Sequence, residues 1–322
     1  MVFQKYQKQV VICIMKIYNF IIKCLLIAAL HSFMSCSTDS VQSSDTSILP
    51  DELVTGAGFF EFSEVQSKFI RTYYYIPETR TSTTPILFVF HGAGRNARDY
   101  RDAMIAKANQ YQYIVIAPEF SITDFPGGDG YNLGNVFVDG DNPLSSTLNP
   151  EEAWAFSVIE PLFDFVKALQ NNTTSTYHIF GHSAGGQFAH RFAMFKPQAR
   201  VSKIVASAAG WYTVTEASIS FPYGLKNSPL ATIDLPQLFQ KEITILIGTQ
   251  DNDPNAGGLR HNAKADAQGL HRLDRAHHFF DSAAALAQDI STAFNWQFVA
   301  NQGEGHSYMS ASQKGADLIF NP

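Results

Sequence analysis

The sequence predicts an α/β architecture, a doubly wound, mostly parallel sheet with helices on both faces. Three observations point there. Apolar β-rich runs alternate with helical patterns along most of the chain. Several of those runs are nearly continuous blocks of Val, Ile, Leu and Phe, as parallel strands covered on both faces require. The 322 residues, 45% of them hydrophobic, suffice for one large core.

Taken in order, the strand segments are 68–76 (KFIRTYYYI), 85–91 (PILFVFH), 113–118 (YIVIAP), 176–181 (TYHIFG), 203–208 (KIVASA), 242–248 (EITILIG) and 295–300 (NWQFVA). Helical patterns fill 96–110, 151–170, 184–196, 273–290 and 307–319. In the second of these, Leu162, Phe165, Val166 and Leu169 recur at i, i+3, i+4 and i+7. Pro161 lies inside the same pattern and should kink that helix or begin a second one. Right-handed crossovers between strand and helix then generate the sheet.

Two connections, 119–150 and 209–241, exceed the roughly 12–15 residues beyond which a loop in a compact domain usually has a task of its own. Both carry aromatic residues. Trp211, Tyr212, Phe221 and Tyr223 in one, and Phe125 and Tyr131 in the other, are therefore candidates for the wall of a substrate pocket. The competing expectation is that they fill the core.

The N-terminus differs in kind. Residues 1–36 hold Lys5, Lys8, Lys16 and Lys23 but no acid, and 24–30 reads CLLIAAL ahead of Ser35-Cys36, the pattern of a signal peptide. A membrane anchor is the alternative, but the apolar run falls short of the roughly 20 residues that span a bilayer. Phe33 to Cys36 (FMSC) resembles a bacterial lipobox, which implies lipidation at Cys36 and a membrane tether. Translation starts at Met1 or at Met15. Residues 37–50, rich in Ser, Thr and Asp, read as a flexible tether, and the catalytic domain as 51–322.

All three cysteines (Cys13, Cys24 and Cys36) lie in the leader, so the domain can use neither disulfides nor thiol chemistry. Removing residues 1–35 takes four lysines and no acid, moving the formal charge from −6 to −10. With no basic stripe to neutralise phosphates, nucleic acid is excluded as a partner. No metal is expected, because Asp129, Asp139 and Asp141 lack the spacing of a calcium loop and there is no HExxH or CxxC. No cofactor is implied either, since the glycines of 127–135 do not follow a strand.

Chemistry enters at Gly181-His182-Ser183-Ala184-Gly185, a G-x-S-x-G pentapeptide with an apolar strand before it and a helical pattern after it. The strained turn holds the serine hydroxyl clear of the backbone, and the flanking glycines let the chain close up around it. A serine hydroxyl is a weak nucleophile, so it needs a base, and the base needs an acid to fix its tautomer. Asp251 stands just past the strand 242–248, and His306, flanked by glycines, just past 295–300. Of the ten histidines, only His306 follows the acid in a loop beyond the last strand. Asp253 is the rival carboxylate, but Pro254 biases it toward an extended backbone leading away. The turn His91-Gly92-Ala93-Gly94 supplies an oxyanion amide from Ala93 (or Gly94), to be paired with that of Ala184.

With these in place, residues from about 68 to 319 resemble the α/β-hydrolase superfamily. Within it they are most similar to extracellular esterases of the polyhydroxybutyrate-depolymerase-like and feruloyl- or acetylxylan-esterase-like kind. The segments that carry the resemblance are YYYIPE (73–78), FVFHGAGRNARDY (88–100), IVIAPEF (114–120), IFGHSAGGQFAHRF (179–192) and IGTQDNDP (247–254). The resemblance implies hydrolysis of a small, oligomeric or polymeric ester at Ser183, Asp251 and His306. A peptidase or amidase would use the same triad, and a non-catalytic binding module would need none.

Overall fold

The structure, a computed structural model, describes residues 52–63 and 68–321. The leader, the tether, Cys36 and both candidate start methionines lie outside the described residues.

Eight strands form one sheet: β1 (Gly56–Phe62), β2 (Ile70–Ile76), β3 (Ile86–Phe90), β4 (Ile114–Pro118), β5 (Tyr177–His182), β6 (Val201–Ser207), β7 (Glu242–Gly248) and β8 (Gln297–Asn301). Their order is β1-β2-β4-β3-β5-β6-β7-β8. β2 pairs antiparallel with both β1 and β4, and every pairing from β4 through β8 is parallel.

Alternation within the apolar strands makes two cores. Phe88, Phe90, Ile116, Ile179, Ile204, Ile245 and Ile247 face one side, and Leu87, Val89, Val115, Phe180, Val205 and Leu246 the other. Helices α1 (Ala97–Tyr111) and α5 (Tyr308–Phe320) cover the second side, while α2 (Ile159–Gln170), α3 (Ala184–Phe195) and α4 (Arg272–Asp289) pack into the first. A strand buried on both faces needs apolar residues at every position, which is why these segments read as solid hydrophobic blocks.

Two local features depart from the sequence reading. β1 is an edge strand with two glycines and a half-exposed pattern, and its pairing with β2 defines it more than its composition does. In 151–170 the α-helix begins at Ile159, after two short 3₁₀ turns at Glu151–Ala153 and Ala155–Val158. Pro161 therefore falls in the first turn, where its missing N–H has no intrahelical acceptor to lose.

The strand order fixes where chemistry can occur. From β3 the chain first steps outward to β4, then crosses back to β5 on the other side of β3. The C-terminal ends of β3 and β5 thus flank the point where the winding reverses, the crevice in which open α/β sheets bind ligands.

Candidate active site

Ser183 leaves β5 with φ 58° and ψ −116°, a strained backbone for a residue with a side chain, and α3 starts at the next residue. The turn is so tight that a Cβ on Gly181 would sit 2.1 Å from the Gly185 carbonyl oxygen, and one on Gly185 2.1 Å from that of Phe90. No side chain fits at either place.

Asp251 and His306 come from different strand ends, and their loops are zipped together. The Gln250 N–H donates to the Glu304 carbonyl at 2.7 Å, and Thr249 Oγ1 accepts from the Gly303 N–H at 2.9 Å. Asp251 Oδ2 then lies 2.6 Å from His306 Nδ1, and His306 Nε2 lies 3.1 Å from Ser183 Oγ. Asp251 is 4% exposed, whereas the histidine side chain is 30% exposed.

Arg272, which the sequence reading passed over, holds the other oxygen of the acid. Its Nη1 donates to Asp251 Oδ1 at 3.3 Å, and the Leu273 N–H donates to the Asp251 carbonyl, so the first turn of α4 clamps the acid. No spacing rule marks such a residue in sequence; it sits 21 positions downstream, at a helix start. Asp253 points away and accepts the Asn255 N–H at 2.8 Å.

His182 is buried beneath the triad, with its Nδ1 3.1 Å from Ser207 Oγ and its ring 4.7 Å from that of His306. Burial, with His306 and Arg272 adding to it, pushes its pKa well below the usual histidine value and keeps it neutral.

Ala93 lies at the exposed tip of the turn after β3, and Ala184 is the first residue of α3. Neither amide has an acceptor among the described residues, so both are free for an oxyanion. The turn is braced from behind. His91 donates from Nδ1 to the Gly92 carbonyl and accepts the Phe120 N–H at Nε2, and burial drives its pKa down to about 3. Arg95 donates to the carbonyls of Phe120, Phe125 and Gly127.

The expected pocket wall is where the structure departs most from the sequence reading. Trp211, Tyr212, Phe221, Tyr223, Phe125 and Tyr131 are all between 0% and 4% exposed and belong to the core rather than to an open wall. Tyr131 stacks on Phe120 and donates its hydroxyl to the His91 carbonyl at 2.8 Å, while Phe125 packs edge-on against Phe120. Tyr212 stacks on Phe279, and Phe221 wedges between Phe137 and Phe195. Trp211 and Tyr223 pack on each other at 4.6 Å. Burying such rings gains more than lining a water-filled cleft would, so long connections rich in them fold inward.

A groove of about 660 Å³ lies at the other end of α3, lined by Trp154, Met194, Lys196, Leu230 and Asp234, away from Ser183. Among the described residues no cluster of ligating side chains could hold a metal.

No protein-family model and no curated protein matches the chain significantly. Solved structures do. Poly(aspartic acid) hydrolase-1 from Sphingomonas sp. KT-1 is 42% identical, with a TM-score of 0.79 over 84% of this chain and 100% of that one. LpqC, a poly(3-hydroxybutyrate) depolymerase from Bordetella parapertussis, is 29% identical, with a TM-score of 0.75 over 83% of this chain and 90% of the other. An S-formylglutathione hydrolase from Agrobacterium tumefaciens, 18% identical with a TM-score of 0.52 over 83% and 95%, shares the fold.

Proposed function

The chain belongs to the α/β-hydrolase superfamily and is a serine hydrolase of its esterase-like branch, and on that premise we propose that it cleaves carboxylic esters through an acyl-enzyme. Ser183 Oγ attacks the ester carbonyl while His306 Nε2 takes its proton. The amides of Ala93 and Ala184 hold the oxyanion. As the tetrahedral adduct collapses, the proton passes to the departing alcohol and the acyl group stays on the serine. Water, deprotonated by the same nitrogen, then releases the acid. Asp251 stabilises the imidazolium in both halves, and Arg272 keeps the acid in place.

One observation carries this proposal: an unbroken hydrogen-bonded line from Ser183 Oγ through both nitrogens of His306 to Asp251, set on a strained elbow. A binding module that had abandoned catalysis would have no use for it. Amide hydrolysis is the second reading, favoured by the 42%-identical relative, since poly(aspartic acid) is a polyamide.

Ser183→Ala should abolish hydrolysis of a panel of p-nitrophenyl esters while leaving the melting temperature unchanged, and a fluorophosphonate probe should label only the wild type. Equal labelling of the variant would remove Ser183 from the mechanism. Turnover of peptide amides without turnover of esters would favour the second reading.

We also propose export through the leader and lipidation at Cys36. Among the described residues no helix is long and apolar enough to cross a membrane; a lipid on Cys36 would tether the chain through its leader. Mass spectrometry of the intact protein from its host should find a chain beginning at a modified Cys36. A cytoplasmic chain beginning at Met1 or Met15 refutes the proposal.

A further inference from the structure

Helix α3 is buried on every side, yet it carries Arg191, and among the described residues no carboxylate touches that guanidinium. Its Nε donates to Thr213 Oγ1 at 2.8 Å. Nη1 reaches the Asn132 carbonyl and the Gln187 carbonyl and side-chain oxygens at 3.0–3.3 Å. Nη2 is buried with no hydrogen-bond partner among the described residues.

Arg275 shows what completion looks like. It is equally buried, and all three of its nitrogens are engaged, by the carbonyls of Gly269, Gly210 and Arg260 and by the Asp266 carboxylate at 3.0 Å. A buried charge without a counter-ion costs several kcal/mol, so interior arginines ordinarily have one.

A second cation approaches the first. The Arg191 and Arg260 guanidinium carbons lie 4.2 and 5.0 Å from the centre of the same Trp211 ring. Lys264 stands 5.8 Å from the Tyr223 ring. Two carboxylates face these three cations. Asp141 Oδ1 accepts from Arg260 Nη1 at 2.5 Å, and Asp129, the other acid in electrostatic reach of Arg260, accepts the Gly140 N–H at 2.9 Å. Both act on Arg260, and Asp141 also reaches Arg191 electrostatically, but neither accepts a hydrogen bond from the Arg191 guanidinium.

The cluster is joined through Gln187 to the helix that follows the nucleophile. Gln187, one turn after Ser183, is pinned by Arg191 and by Asn132 Nδ2, and its own Nε2 lies against Gly210, the neighbour of Trp211. Arg191 follows Ser183 by eight residues, about 12 Å along the axis, and helical side chains lean back toward the N-terminus. Arg260 is on the loop that follows Asp251, one-third exposed, and its Nη1 also donates to the Tyr223 hydroxyl at 3.1 Å.

We propose that Arg191 and Arg260 form an anion subsite that binds a carboxylate carried by the substrate a few bonds from the scissile carbonyl. The incoming carboxylate takes Arg260 from Asp141 and draws it outward, uncovering the Nη2 of Arg191 that is otherwise buried beside Trp211 and Tyr223. Asp141 is then the internal stand-in that closes the site when it is empty. The proposal rests on the serine-hydrolase reading above and adds to it the class of substrate: acidic esters or amides rather than neutral ones.

The test compares 4-nitrophenyl hydrogen adipate with its methyl ester, two substrates of one acyl length that differ in charge. For the wild type at low salt, kcat/KM should favour the acid by about tenfold or more, the scale of a charge-assisted hydrogen bond. Arg260→Met should bring that ratio to near one. Asp141→Asn, which removes the competing internal carboxylate at an exposed position, should move it in the opposite direction, by roughly threefold. A wild-type ratio near one, or a ratio that neither variant shifts, overturns the subsite. Calorimetric binding of free adipate to Ser183→Ala, with and without Arg260→Met, reads the subsite without turnover. If neither ester is cleaved, the ester-cleavage reading fails while this titration still decides on the subsite. Thermal melts confirm that each variant is folded.

Discussion

The triad corner and the two long connections were both marked out by the sequence, and the structure treats them differently. Ser183, Asp251 and His306 each stand within five residues of a strand end, and the parallel register of β5, β7 and β8 delivers them to one place. The aromatic residues of 119–150 and 209–241 have no such register, and the structure draws them into the core behind the site. Position near a strand end is legible because the sheet is a rigid ruler. Position in a long connection is decided by packing, which no local pattern encodes.

The first way to break this comparison is to ask whether the two carboxylates beyond β7 really differ. Asp251 is buried and doubly held by His306 and Arg272, and Asp253 is exposed and meets only a loop amide. Asp251→Asn should lower kcat by roughly 10³–10⁴-fold with KM little changed, because the imidazole loses the partner that fixes its tautomer. Asp253→Asn should leave kcat within about twofold and cost at most about 0.5 kcal/mol, as surface substitutions do. Kinetics on one activated ester, with melts alongside, separate the two. A larger kcat loss for the Asp253 variant at unchanged melting temperature would exchange their roles.

How much was legible follows from the same contrast. The central strands β3, β4 and β5 were the most recognisable because burial on both faces forces apolar residues at nearly every position. β1, half exposed at the antiparallel edge and broken by Gly56 and Gly58, carried no such signal. The helix at 151–170 was visible from Leu162 and Val166, but its true start at Ile159 depends on where Pro161 can be accommodated. The elbow showed itself through glycines that have no room for a Cβ. Arg272 and Arg191 did not, since a lone arginine in a helix reads as surface until the fold shows both to be buried.

The smallest effect sharpens the comparison from the other side, at Tyr131. A pocket-wall tyrosine touches substrate, and losing its hydroxyl would change KM while leaving the fold untouched. Tyr131 instead lies fully buried against Phe120 and Phe188, with the Arg95 guanidinium 4.5 Å from its ring centre. Its hydroxyl is spent on the carbonyl of His91, the residue that opens the oxyanion turn. Tyr131→Phe keeps the ring and deletes one buried donor, so the expected cost is about 1–3 kcal/mol of stability, the range for stranding a buried acceptor. What activity changes should appear in kcat, because a loosened turn presents the Ala93 amide less well to the transition state, whereas the substrate's ground-state contacts are untouched. Urea unfolding and steady-state kinetics on one ester decide it. An unchanged midpoint with a raised KM would return Tyr131 to the pocket wall.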